Sequence, residues 1–240
     1  MSTNRQPLPT LSMYSITAKL ITHLESAITK EFGEGAKSFI RNGIEAFGLA
    51  RAKLISDQAT FEGEIHCLAS YLPNHTVATK GLELDQQSIY PWMAQLFAHV
   101  TKEIVDHYGE AGKHAVREGV RTFGEVRGQG IAKRAKHMGY ANDLEQYLPN
   151  YDMGRSDLFE FENVFTEGNI DQTFTKCPFG QQWVDDEMGE YGILYCEMID
   201  PAVAKGFNPD IEVEHDQYVI KEGVCHFQFT LKGKKGKSND

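Results

Sequence analysis

The chain has 240 residues, with 24 Lys and Arg against 34 Asp and Glu, for a net charge of −10. That acidic balance argues against a general nucleic-acid binder, which carries a basic face. A hydrophobic content of 41% with 24% charged residues is that of a globular protein able to bury a substantial core.

In chain order, residues 1–13 read as an N-terminal tail. They lack the apolar stretch of a secretory signal, and no later run is long enough to span a membrane. The expected setting is therefore cytoplasmic, with no membrane and no nucleic-acid partner. The four cysteines, Cys67, Cys177, Cys196 and Cys225, are widely spaced. In a reducing compartment they are expected as free thiols, core residues or ligands.

Residues 14–150 contain an internal duplication. Residues 14–74 laid over 90–150, a shift of 76, match at 21 of 61 positions, and both copies end in Tyr-Leu-Pro-Asn. A repeat of this kind governs the reading of everything between. Each copy opens with an amphipathic helix, on Ile16, Leu20, Ile21, Leu24 and Ile28 in the first and on Trp92, Leu96, Phe97, Val100 and Ile104 in the second. A second helix comes after Gly33-Glu34 and Gly109-Glu110. Gly43 and Gly119 recur inside it, and so do Gly48 and Gly124. Glycine costs about 1 kcal/mol in a helix interior, so its repetition points to close helix–helix contact. Lys37/Lys113, Arg41/Arg117, Arg51/Arg127 and His23/His99 are shared as well. Glu34, Lys37 and Arg41 have ion-pair spacing, which favours a solvated stripe over a pair of anion sites. Proline in each Tyr-Leu-Pro-Asn marks a helix stop.

Residues 151–232 occur once, and the pattern changes to alternation. Phe159, Phe161 and Phe165 fall on one face of a strand, Asp171–Lys176 is its hairpin partner, and Val224–Leu231 alternates with Cys225, Phe227 and Phe229 together. Gln181–Met188 and Gly189–Ile199 read as helices. Asp200-Pro201 reads as an N-cap with proline opening a further helix. Ile211–Ile220 supplies one or two strands. The fold class is α+β: a duplicated N-terminal helical unit packed on a small antiparallel sheet with helical insertions. Residues 233–240 read as a disordered basic tail.

The chemistry-capable residues gather in this last region. Cys177 precedes a helix, whose N-terminus favours a thiolate. Cys196 and Asp200 stand four apart, one helical turn. Phe207-Asn208 lie in a Gly-Phe-Asn-Pro turn, and Cys225 and His226 point to opposite faces of a strand. Each also has a plain structural reading: Cys225 and Cys196 as core thiols, Asp200 as a cap, Asn208 as a turn residue. The spacing of the cysteines matches no common zinc signature, and spacing alone names no reaction.

The helix Tyr108–Ala135, Cys177–Trp183, Tyr195–Val213 and Glu222–Phe229 together resemble the L-2-amino-thiazoline-4-carboxylic acid hydrolase family. The resemblance covers the second copy and the chain beyond it, and Cys196–Asp200 with the subsequent Gly-Phe-Asn-Pro is its most specific part. It implies hydrolytic opening of a small cyclic amidine-like or amide-like ring, with a small molecule as substrate. Residue type then assigns Cys196 as nucleophile or ligand, Asp200 as general base and Asn208 as polarising donor. Cys177 joins that set, with Cys225, His226 and Phe207 as substrate contacts. No cofactor is required; a metal form would hold zinc through Cys177, Cys196 and Cys225. The ending also resembles the last strands of vinyl-reductase-type small-ligand-binding domains. That alternative is a non-enzymatic binder or sensor whose duplicated helices form a homodimer interface.

Overall fold

The computed structural model describes residues 5–232 apart from 75–76, 80, 83, 85–87 and 155; the basic stretch 233–240 and the first four residues lie outside the described residues. Helix α1 (Met13–Phe32) starts at Ser12, whose hydroxyl accepts from the Ser15 backbone N–H. It buries the expected stripe from Ile16 to Ile28. It stops at Gly33, where φ is 78°. After a single 3-10 turn the chain continues as α2 (Lys37–Phe47) and α3 (Leu49–Phe61). The second copy is α4 (Ile89–Met138), which is two helices joined at Gly109, with φ 58° and ψ −134°. Gly33 and Gly109 are duplicate positions, and each supplies a positive-φ break that other residues adopt only at a cost.

The two copies hold one another reciprocally. A Cβ at Gly43 would stand 2.5 Å from the Val100 Cα, and one at Gly119 would stand 2.9 Å from the Leu24 Cα. Leu24 and Val100 are themselves duplicate positions. Each copy therefore presses its second helix onto the first helix of the other, a pseudo-twofold arrangement. The copies differ at the next repeated glycine. Gly48 (φ 119°) separates α2 from α3, whereas Gly124 stays helical because it lies against Ala202.

The short helix α5 (Leu144–Tyr147) leads into the unique region. Strands β1 (Glu160–Thr166) and β2 (Asn169–Lys176) form the expected hairpin, and α6 (Pro178–Asp185) and α7 (Gly189–Phe207) come next. Strand β3 (Ile211–Gln217), the single turn α8 (Val219–Glu222) and β4 (Cys225–Leu231) complete the sheet, which is antiparallel in the order β1-β2-β4-β3. The α+β class is as expected.

Two local readings are corrected. Asp200-Pro201 does not begin a helix: α7 runs through both residues to Phe207, with Pro201 inside it. A proline there forfeits one backbone bond, and the burial of Ile199, Ala202 and Val203 on either side maintains the helix. The Ile211–Ile220 segment makes one strand and then enters α8. No described helix is long and apolar enough to cross a membrane.

Helix α7 packs along the second half of α4 with little between the backbones. A Cβ at Gly128 would lie 2.0 Å from the Val203 carbonyl oxygen, and one at Gly206 would lie 2.1 Å from the Glu125 carbonyl oxygen. The other side of this helix pair faces the sheet. Gly130, in contrast, opens to empty space. Gly43→Ala and Gly119→Ala are expected to lower stability by about 1–3 kcal/mol each, because overpacking outweighs improved helix propensity. Gly130→Ala should be neutral or stabilising by up to about 1 kcal/mol. Urea unfolding midpoints with unchanged slopes check both directions.

Candidate functional site

The inner face of the sheet, α7 and the second half of α4 enclose a cavity of about 440 Å³. That volume suits a small molecule. Strand alternation decides which side chains reach it. Asn163, Gln172, Phe227 and His215 are register partners across β1, β2, β4 and β3, and all four line the cavity. Phe161, Phe174 and Cys225 form the next row toward α6. Within the first row the Gln172 amide donates to Asn163 Oδ1 at 2.7 Å.

Helix α7 contributes Tyr195, Cys196, Ile199 and Asp200, which lie at i, i+1, i+4 and i+5 along one helical face. Helix α4 contributes Arg127, α5 contributes Tyr147, and Tyr151 stands on the connecting segment after it. Cys177 caps α6, its sulfur accepting from the Gly180 N–H at 3.5 Å.

Cys177, Cys196, Cys225 and Asp200, four of the residues singled out from the sequence, therefore line one cavity. The other three do not. Asn208 caps the end of α7, donates to the Asn142 carbonyl at 2.6 Å and accepts from the Asp210 N–H. Phe207 packs its ring on Tyr147 behind the cavity wall. His226 lies on the outer face of the sheet between Asp216 at 2.6 Å and Asp171 at 3.2 Å. Among the described residues no group of three or more His, Cys, Asp or Glu is arranged to hold a metal ion.

Sequence reasoning missed Arg127 and the tyrosines. Arg127 belongs to no solvated stripe: it is 5% exposed and holds Asp152, itself 5% exposed, in a two-pronged pair with Nε–Oδ2 at 3.0 Å and Nη2–Oδ1 at 2.5 Å. The rings of Phe123 and Tyr151 flank its guanidinium. The surface reading does suit Lys37 with Glu34 and Lys113 with Glu110. Retention of Arg127 and of Tyr147 in both copies was the available signal, and the burial of each is decided by partners outside its own helix.

The electrostatics separate the candidates. Burial pushes the Cys177 thiol up to about 11 and Cys225 up to about 12, and Cys196 rises further because the two other sulfurs and Asp200 add to its burial. All three are neutral thiols near pH 7, so the helix N-terminus at Cys177 does not yield the expected thiolate. Burial also lifts the Asp200 carboxyl to about 7, opposed by the nearby Arg127 charge. Among the described residues no side chain donates a hydrogen bond to it. Burial lowers His215 to about 4, and its neutral ring donates through Nδ1 to the Cys196 carbonyl at 3.2 Å. His215 Nε2 and the Tyr147 hydroxyl are both buried without a hydrogen-bond partner.

An α+β protein with an aromatic chamber between a helix pair and the inner face of an antiparallel sheet, holding one titratable carboxyl, is the class that fold and site define. The family model described as L-2-amino-thiazoline-4-carboxylic acid hydrolase matches residues 90–229, and the chain belongs to that family. The match takes in the second copy and the sheet, including every segment that lines the cavity. No curated protein matches the chain. A solved structure titled "Probing the function of heme distortion in the H-NOX family" is similar over 90% of this chain and 95% of that one, at 12% identity and a TM-score of 0.38.

The raised Asp200 has a stability consequence. An unfolded aspartate ionises near roughly pH 4, while the folded protein keeps this proton until about pH 7. Between these values the folded state binds more protons, so stability falls as pH rises, and the full penalty applies above 7. Asp200→Asn lacks that penalty. It should be more stable than wild type by about 2–4 kcal/mol at pH 8, with the difference closing toward pH 4, as read from thermal melts across that range.

Proposed function

We propose that the protein hydrolyses a small cyclic amidine-like or amide-like ring by water addition, with Asp200 as the general base and acid. The observation that carries this reading is Asp200 itself: a cavity-lining carboxyl lifted to about 7, with no side-chain donor committed to it. A base is most effective when its pKa lies near the working pH. Membership of a family named for a hydrolase supports the reaction class.

Asp200 takes a proton from water while the water oxygen bonds to the ring C=N or C=O carbon, whose π pair moves onto that nitrogen or oxygen. The tetrahedral carbon then expels ring sulfur or nitrogen with its bonding pair, and Asp200 returns its proton to that atom; in the amidine case the hydroxyl proton passes to the nitrogen that took the π pair as the carbonyl forms. One water is consumed and no redox change occurs. The unpartnered Tyr147 hydroxyl is available to stabilise the developing negative charge. The cysteines act here as neutral lining rather than as nucleophiles, which departs from the role that residue type gave Cys196. The proposed working unit is residues 151–232 together with the second helical copy, since the cavity needs Arg127 and Tyr147 as well as the sheet.

A second reading, the small-molecule binder or sensor, draws on the aromatic majority of the lining. The two differ at Asp200. Under hydrolysis, kcat/KM should rise with pH through an apparent pKa near 7 and level off above it. Asp200→Asn should lose about 10²–10⁴-fold in kcat and the pH limb with it. Cys196→Ser, Cys177→Ser and Cys225→Ser should each stay within about tenfold of wild type, the scale of 1.4 kcal/mol. Loss of turnover in Cys196→Ser equal to that in Asp200→Asn would instead restore the thiol as nucleophile. Tight binding of rings with no turnover in wild type would favour the binder.

A further inference from the structure

We infer that the cavity is bipartite, and that the molecule it takes carries an apolar, ring-sized group beside the ring that is opened. The polar end holds the reacting ring, and the end next to α6 holds the apolar group. The inference rests on the hydrolase reading for its choice of ring, and a probe without such a ring tests the apolar end by itself.

Strand register sets the layout. The row that joins Asn163, Gln172, Phe227 and His215 carries the polar side chains of the inner face, and Phe161, Phe174 and Cys225 make the next row toward α6. Consecutive rows on one face stand about 7 Å apart, the rise of two strand residues. The open polar capacity lies on the far side of that step. His215 Nε2, buried without a partner, belongs to the polar row. The unpartnered Tyr147 hydroxyl belongs to a ring that packs on Phe229, one row farther from α6. Asp200 lies one helical turn beyond Cys196, whose carbonyl accepts from His215, and α7 runs away from α6 in that direction.

The end next to α6 is different in kind. The rings of Phe161, Phe174, Phe159 and Phe179 form a connected wall, with centroids 5.2, 5.9 and 5.9 Å apart in that order. Groups there that could hydrogen-bond are already committed. Trp183 donates its indole N–H to the Ala94 carbonyl at 2.8 Å. The Cys177 sulfur accepts from the Gly180 N–H, and the Cys225 sulfur accepts from the Val219 N–H at 3.2 Å. Water gains little beside such a wall, because a buried water needs roughly two to four polar partners. An aromatic group gains offset or edge-on ring contacts instead. Size agrees with this division. A dry cavity of about 150 Å³ takes a benzene-sized ring, so a single five-membered ring would leave about two thirds of the 440 Å³ unfilled.

The test uses hydantoin, 5-methylhydantoin, 5-benzylhydantoin and toluene on the whole chain at pH 7, with binding measured by calorimetry. Affinity is expected to rise along the three hydantoins, by at least about tenfold from the unsubstituted ring to the benzyl compound, as burial of a further apolar ring requires. Toluene should compete with 5-benzylhydantoin and leave the affinity for hydantoin unchanged. Phe161 is 40% exposed on the edge strand β1, so it can be shortened without opening the core. Phe161→Ala should lower the ratio of benzyl to unsubstituted affinity at least about threefold. The inference is overturned if 5-benzylhydantoin binds no better than hydantoin, or if toluene displaces hydantoin. It is likewise overturned if Phe161→Ala leaves the ratio unchanged, or if no probe binds. Mass spectrometry of the same mixtures separates the inference from the hydrolase reading. Binding in the expected order with every ring left intact sinks hydrolysis of these rings and keeps the bipartite cavity. Opening of hydantoin with no gain in binding or turnover from the benzyl group keeps hydrolysis and sinks the bipartite cavity.

Discussion

Helices α4 and α7 are in close contact where Gly128 and Gly206 let the two backbones meet without side chains between them. Any side chain at these positions would force the helices apart, and packed interiors have no slack to absorb such a shift. That contact sets the geometry of the cavity. Arg127 is the immediate neighbour of Gly128, and Asp200 lies one turn before Val203, which Gly128 touches. The buried guanidinium and the half-buried carboxyl are thereby fixed at one cavity. The guanidinium tempers the rise in the Asp200 pKa; without it, burial alone would drive the carboxyl higher and leave less of it ionised at neutral pH.

Much of this architecture is legible in the sequence, and the remainder has identifiable causes. Period-two alternation placed Cys225, Phe227 and Phe229 on the inner face and His226 on the outer one, because the pleat leaves no alternative once one face is buried. Helical spacing brought Cys196 and Asp200 to one side. The Asp200-Pro201 cap failed because it was a local rule applied where tertiary burial dominates: Val203 and Phe207 are almost wholly inaccessible, and that holds the helix through its proline. Arg127 was misjudged for a similar reason. Its partner Asp152 lies 25 residues on, beyond the end of the repeat, and no periodicity links them. Asn208 was promising by composition, but its side chain is spent on bracing the backbone around Asn142 and Asp210.

The duplicated residues show how one set of side chains came to do two kinds of work. In the first copy Tyr71 donates its hydroxyl to Glu25 at 2.6 Å, and Arg51 is occupied by Gln95 and the Phe47 carbonyl. These are internal ties. In the second copy Tyr147 packs instead on Tyr151, Phe207 and Phe229, and its hydroxyl stays unpartnered in the cavity wall. Arg127, meanwhile, trades a neutral amide for the carboxylate of Asp152, and its charge becomes part of the chamber.

The reciprocal glycine contacts carry a consequence for association. Gly43 requires the first helix of the second copy, and Gly119 requires the first helix of the first copy; neither copy contains the surface its own glycine fits. A chain holding a single copy would find that surface only on another molecule like itself, related by twofold symmetry. The two copies thus meet as a self-complementary pair would, within one chain. Held in that way, the contact is intramolecular and does not depend on protein concentration.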